Sequence, residues 1–176
     1  PSFYPAPYGV FYPSFYPSFY PSFYPAPYGV FYPSFYPSFA PCFLAGTRVL
    51  MADGSYKEIQ EIKEGDKVAS WDERERALVS RKVAEKFIHR DYPGGYLVIN
   101  GDLKITGNHS IWVDSNSSWQ RADTLKIGDT LLDKNGNQVV VLSVEWVAGV
   151  NTVYNIGVDG VEHNFFTEDI LVHNKL

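Results

Sequence analysis

The sequence predicts an all-β fold over residues 42–174, and three observations predict it. Side chains of like character alternate in short runs, at Thr47, Val49 and Met51, then Val68 and Ser70, Leu97 and Ile99, and Leu103 and Ile105. A period of two marks strands with one buried face. Between the runs stand Asp53-Gly54, Gly65-Asp66, Asn100-Gly101, Asn135-Gly136 and Asp159-Gly160, dipeptides that tolerate the positive φ of hairpin turns. Composition also divides the chain: the first 41 residues carry no charge, and all 15 basic and 20 acidic side chains lie beyond them. About 135 residues then remain for one compact domain, enough to bury roughly two-thirds of their unfolded surface.

Residues 1–20 and 21–40 are one sequence written twice, except that Tyr20 becomes Ala40. Proline about every four residues removes amide donors and pushes the preceding residue out of the helical region, which leaves polyproline-like or disordered chain. The aromatic rings could serve adhesion, self-association or stacking, or the repeat is a flank with no site of its own. We read residues 1–41 as a passenger. At the boundary stands Cys42, the only cysteine. One cysteine excludes an internal disulfide and leaves the thiol available as a nucleophile.

Beyond Cys42 the strands follow the alternating runs. Ala77 to His89 fits a helix through Leu78, Val83 and Phe87, or a strand through Val79, Val83 and Ile88; the strand is taken. Short helical turns are expected at Ile59 to Lys63 and Arg121 to Lys126, each before a Gly-Asp pair. A shift of 63 residues superposes these turns, setting Tyr56 on Trp119, Ile62 on Leu125, Lys63 on Lys126, Gly65 on Gly128 and Asp66 on Asp129. Two such halves predict pseudo-twofold symmetry, with the domain's ends meeting near the axis.

A net charge of −5 with interspersed signs gives no reason to expect nucleic acid or an anionic membrane as partner. No apolar run reaches the ~20 residues of a membrane span, and the start lacks the basic segment of a signal peptide, so no address is expected. The candidates for chemistry are Cys42 and the histidines. His89, between a strand and Arg90-Asp91, reads as a solvated residue. His109 closes the turn Thr106-Gly107-Asn108-His109; His163 follows Asp159-Gly160; His173 precedes Asn174 after Ile170-Leu171-Val172.

Together these residues resemble the Hint domain of inteins, hedgehog autoprocessing domains and bacterial intein-like domains, most nearly the intein-like type ending His-Asn. Cys42-Phe-Leu-Ala-Gly-Thr-Arg-Val looks like the family's first motif, continued by Asp53-Gly54, Ile59 and Gly65-Asp66-Lys67-Val68. Thr106-Gly-Asn-His109 is similar to its Thr-x-x-His motif. Val153-Tyr-Asn-Ile-Gly-Val158 with His163-Asn-Phe165, and then Leu171-Val-His-Asn174, resemble its two C-terminal motifs. The resemblance implies the Hint fold, a pseudo-twofold flattened horseshoe of short strands, spanning residues 42–174 between flanks 1–41 and 175–176. It further implies a single-turnover self-processing domain without cofactor or metal, monomeric, whose partners are its own flanking polypeptides and whose location follows a bacterial host protein.

By that resemblance the Cys42 thiol attacks the carbonyl of Pro41 and turns an amide into a thioester, while His109, helped by Thr106, holds and twists the scissile amide and protonates the leaving amine. The Asn174 side chain closes a succinimide and cuts the Asn174-Lys175 bond, with His173 polarising that carbonyl and His163 assisting. Three departures stand out. Lys175 occupies the place of the Cys, Ser or Thr of a splicing intein, so cleavage of the flanks should dominate over splicing. Pro41 crowds the first acyl transfer. Asn155 stands where many relatives carry an Asp or Cys that coordinates the two ends. There is no room for a homing endonuclease, and no sterol-recognition extension follows. Two other readings use the same residues: a zinc module in which Cys42, His109, His163 and His173 converge, because thiolate and imidazole suit that ion, and an interaction protein whose aromatic repeat does the work.

Overall fold

Alternating burial builds the domain strand by strand. Leu103–Ile105 runs buried, exposed, buried, and Tyr96–Ile99 runs half-buried, buried, half-buried, buried, as a pleat with one face on the core requires. In the computed structural model, residues Phe23–Pro25, Phe31–Pro33 and 41–174 are described, and the chain divides into two compact units, Pro1–Ser38 and Phe39–Leu176. Within the first unit β1 (Phe23–Pro25) pairs antiparallel with β2 (Phe31–Pro33). In a two-stranded ribbon both strands are edges, which is where sheets admit proline. The rest of the repeat, on which the expectation of a polyproline-like or disordered tail also bears, lies outside the described residues.

The second unit is antiparallel throughout. Its strands are β3 (Phe43–Leu44), β4 (Arg48–Leu50), β5 (Tyr56–Glu58), β6 (Lys67–Asp72), β7 (Ala77–Tyr92), β8 (Tyr96–Ile99), β9 (Leu103–Ile105), β10 (Ser110–Val113) and β11 (Ser118–Arg121). They continue with β12 (Thr130–Leu132), β13 (Gln138–Val140), β14 (Val144–Val147), β15 (Asn151–Val158), β16 (Asn164–Thr167) and β17 (Ile170–His173). One sheet has the order β13-β12-β10-β17-β16-β4-β5, with β11 paired to β10; the other has the order β14-β8-β9-β3-β15-β7-β6. Among the described residues the helical structure is three short 3-10 turns, and no helix is long and apolar enough to cross a membrane.

The order of strands positions the site. The strand after Cys42, β3, is central in one sheet between β9 and β15, and the strand ending at His173, β17, is central in the other between β10 and β16. The Thr106–His109 turn joins β9 to β10, the neighbours of β3 and of β17. The loop carrying His163 joins β15 to β16, their neighbours on the other side. Each link therefore runs between the first and last strands of the domain. Packing holds them there: Phe43, Ile105, Ile111, Phe165 and Val172 share one buried cluster, with Phe43 and Phe165 edge to face at 5.8 Å between centroids. Removing either ring would cost about 3–5 kcal/mol. The neighbours Phe166 and Leu171 point the opposite way into a second cluster with Leu50 and Trp71.

The duplication is visible in the backbone. The 3-10 turns Ile59–Glu61 and Ala122–Thr124 lie 63 positions apart, matching the shift read from sequence. Each is followed by an aspartate whose Oδ2 accepts a main-chain N–H, Lys63 to Asp66 at 2.9 Å and Lys126 to Asp129 at 2.8 Å. Gly65 and Gly128 adopt φ of 90° and 97°, the left-handed region open to glycine, and donate to Val83 O in β7 and to Val141 O just past β13. The segment Ala77–Tyr92 is the strand β7, as expected, and it pairs with both β6 and β15. His89 departs from expectation: it is half-buried with Nε2 closed off from solvent, because pairing of its backbone with Val153 seats it within the sheet.

Candidate active site

Pairing brings Asn155 to Cys42. Val153 lies opposite Leu44 and Tyr154 opposite Phe43, so the same register sets Asn155 opposite Cys42. Cys42 is fully buried with Leu44, Tyr92 and Val153 and forms no disulfide. Its amide, the nitrogen of the Pro41-Cys42 bond, donates to Thr106 Oγ1 at 2.9 Å. The Thr106 hydroxyl in turn donates to Asn108 Oδ1 at 2.8 Å, and Thr106 N donates to Cys42 O at 2.9 Å. On the acyl side, Asn155 Nδ2 donates to the Pro41 carbonyl at 2.6 Å. The Thr106 hydroxyl on the nitrogen side and the Asn155 amide on the carbonyl side thus grip the Pro41-Cys42 peptide.

The nitrogen of the Pro41-Cys42 bond is hydrogen-bonded by Thr106, not by His109. Instead His109 Nε2 lies 2.9 Å from the main-chain oxygen of His173. A carbonyl only accepts, so the proton sits on Nε2 and Nδ1 carries a bare lone pair. That Nδ1 is buried and has no hydrogen-bond partner among the described residues. The ring packs on Phe43 with centroids 4.2 Å apart. Burial, only partly offset by the bond to His173, pushes the imidazole pKa down to about 3. At neutral pH His109 is thus an uncharged, buried base, which can protonate a leaving amine only after it has itself taken up a proton.

At the other end, His173 Nδ1 lies 2.7 Å from Asn174 O, the carbonyl of the Asn174-Lys175 bond, and by the same reasoning donates to it. The His173 ring stands edge-on to Trp119 at 4.9 Å and stacks on His163 at 6.3 Å with 21° between planes. Asn174 is buried, at 4% exposure. Its amide donates to His163 O at 2.9 Å and its side-chain Nδ2 to Val158 O at 3.2 Å. His163 therefore meets Asn174 through its backbone, with φ of 49°. The preceding Glu162 is held by Arg81 through two bonds of 2.6 and 2.5 Å, and this pairing keeps the Glu162 carboxyl below its usual range. Lys175 lies outside the described residues.

Cys42, Thr106, His109, His163, His173 and Asn174 are thus all joined in one network through Pro41, Phe43 and the main chain. Among the described residues no three His, Cys, Asp or Glu side chains are grouped to hold a metal ion, so the zinc module lacks its ligand cluster. Sequence reasoning missed Asn108 and Trp119, and saw in Asn155 only a departure. Asn108 lay in full view inside the Thr-x-x-His turn, and Trp119 was marked by its match to Tyr56. The contact of Asn155 depended on a strand pairing that no local pattern announces.

A family model described as the pretoxin HINT domain matches residues 48–175. The solution structure of a bacterial intein-like domain from Clostridium thermocellum is 32% identical over 76% of this chain and 98% of that one, with a TM-score of 0.67. The DnaB intein from Synechocystis sp. PCC 6803 shares the fold at 22% identity, over 78% of this chain and all of that one (100%), with a TM-score of 0.66. The Ssp DnaB mini-intein variant M86 does so at 20% identity, 78% and 95% coverage and a TM-score of 0.67. No curated protein matches the chain.

Proposed function

Because the chain belongs to the HINT domain family, whose intein-like fold points to autocatalytic self-processing within its own polypeptide, we propose that residues 42–174 cut both flanks. Splicing is a minor outcome. The observation that carries the reading is the Thr106–His109 turn, which touches both scissile regions: Thr106 binds the nitrogen of the Pro41-Cys42 bond, and His109 binds the carbonyl that precedes Asn174.

At the first bond the Cys42 sulfur attacks the Pro41 carbonyl carbon, the C–N bond breaks, and the thiol proton ends on the Cys42 nitrogen, giving a thioester. Thr106 holds that nitrogen, and the buried, unprotonated Nδ1 of His109, on the same turn as Thr106, supplies a base. At the second bond Asn174 Nδ2 attacks its own carbonyl carbon, closing a succinimide and releasing the Lys175 amine. Amide nitrogen is a weak nucleophile, so positioning must supply much of the rate. Val158 O holds Nδ2, His173 Nδ1–H draws charge onto the carbonyl oxygen, and Trp119 and His163 fix the His173 ring. Lys175 has no hydroxyl or thiol to accept the acyl group from Cys42, so the two cuts proceed separately.

Intact mass spectrometry tests this. Tail release at Pro41-Cys42 should accelerate with dithiothreitol or hydroxylamine and stop in Cys42→Ala. Loss of Lys175-Leu176 should stop in Asn174→Ala yet persist in Cys42→Ala, leaving a domain one water lighter than the hydrolysis product. Tail release undiminished in Cys42→Ala, or a C-terminal carboxylate from the outset, would point to peptidase trimming instead.

A further inference from the structure

We infer that Asn155 is a catalytic residue of the first cut, donating from its side-chain amide to the oxyanion that forms on the Pro41 carbonyl. The inference rests on the Cys42 reading above and specifies how this chain stabilises its transition state. Asn155 is fully buried, and its Nδ2 lies 2.6 Å from Pro41 O. Its orientation is fixed, because Oδ1 accepts the Ile156 N–H at 2.8 Å and so turns the NH₂ toward Pro41. Attack by sulfur moves negative charge onto that oxygen, and a hydrogen bond to an anion is roughly twice as strong as one to a neutral carbonyl. The gain is thus made in the transition state rather than the ground state. A carboxylate at this place could accept but not donate, and would face the growing charge with its own. Collapse of the intermediate breaks the bond to the Cys42 nitrogen, which takes up the thiol proton, and the oxygen returns to a carbonyl still bound by Asn155. Loss of one such donor typically slows a reaction by about 10²–10³.

The full chain is incubated with hydroxylamine and both cuts are followed by intact mass. Asn155→Leu should slow tail release about 100-fold or more. Asn155→Asp, which keeps the acceptor for Ile156 N, should release the tail only in so far as its buried carboxyl, whose pKa burial raises, holds a proton to donate. Its rate relative to wild type should then rise as pH falls and the protonated carboxyl becomes a donor. Loss of Lys175-Leu176 should stay within about twofold of wild type in both variants, as it does not use this donor. A ratio of Asn155→Asp to wild-type tail release that does not change with pH would overturn the inference, as would equal slowing of both cuts, the mark of a merely structural role. A wild-type chain that releases no tail would instead overturn the Cys42 reading, and this role with it.

Discussion

His109 is neutral because it is buried, and that burial makes stability depend on pH. In the unfolded chain an imidazole titrates near 6.5, whereas in the fold its pKa is about 3. The unfolded state therefore binds the extra proton first as pH falls. The stabilising contribution is complete above about pH 6.5 and drains away toward pH 3, with a slope near 1.4 kcal/mol per pH unit. Urea midpoints for wild type should fall steadily across that window, and His109→Gln should flatten the fall. An unchanged slope in the variant would show that other groups govern acid stability. The residues of the candidate site stood out at this scale because a lone cysteine, an imidazole and a terminal His-Asn are rare side chains in recognisable order. Their partners were not legible, since the bonds from Thr106 to Cys42 and from Asn155 to Pro41 cross 64 and 114 positions of sequence.

Among the elements, the 3-10 turns Ile59–Glu61 and Ala122–Thr124 are closed by the same device, an aspartate reaching back three residues to a main-chain N–H. Replacing either aspartate with alanine removes an acceptor from a local turn, at a cost of about 1 kcal/mol. Asp66→Ala should cost more than Asp129→Ala, because Asp66 also accepts from Lys57 Nζ at 2.8 Å and is held below the usual carboxylate range first by that bond and then by the Lys63 amide. Denaturation midpoints at neutral pH check the ranking, and equal losses would show that the lysine contributes nothing. Strands whose two faces differ, such as β9, could be read from alternation alone. Strand β7 could not, because only Val83 and Tyr92 along it are buried; its extended form is set by β6 and β15, which pair with it from elsewhere in the chain.

For the molecule as a whole, the second compact unit begins at Phe39, and the strands of its two sheets run from Phe43 to His173. Removing residues 1–38 should therefore leave the melting temperature unchanged and both cuts operating. A fall of more than about 4 °C, the mark of roughly 1 kcal/mol in a domain of this size, would make the aromatic repeat part of the fold. Pseudo-twofold organisation was readable because two turns repeat their residue types at one offset. The crossing of its links between the sheets was not, since it is a property of strand order.

The burial of Cys42 carries a further consequence, which concerns timing. A thiol in an unfolded chain is open to oxidants and to other thiols, whereas once the two sheets close over it, reagents from solvent reach it only through an opening of the fold. Folding thus places a clock on the molecule: the interval before closure is the time in which an oxidising compartment can trap the chain as a disulfide-linked dimer. After closure the sulfur faces its own peptide before it faces the outside, and a chain that completes its fold quickly carries its nucleophile through such a compartment intact.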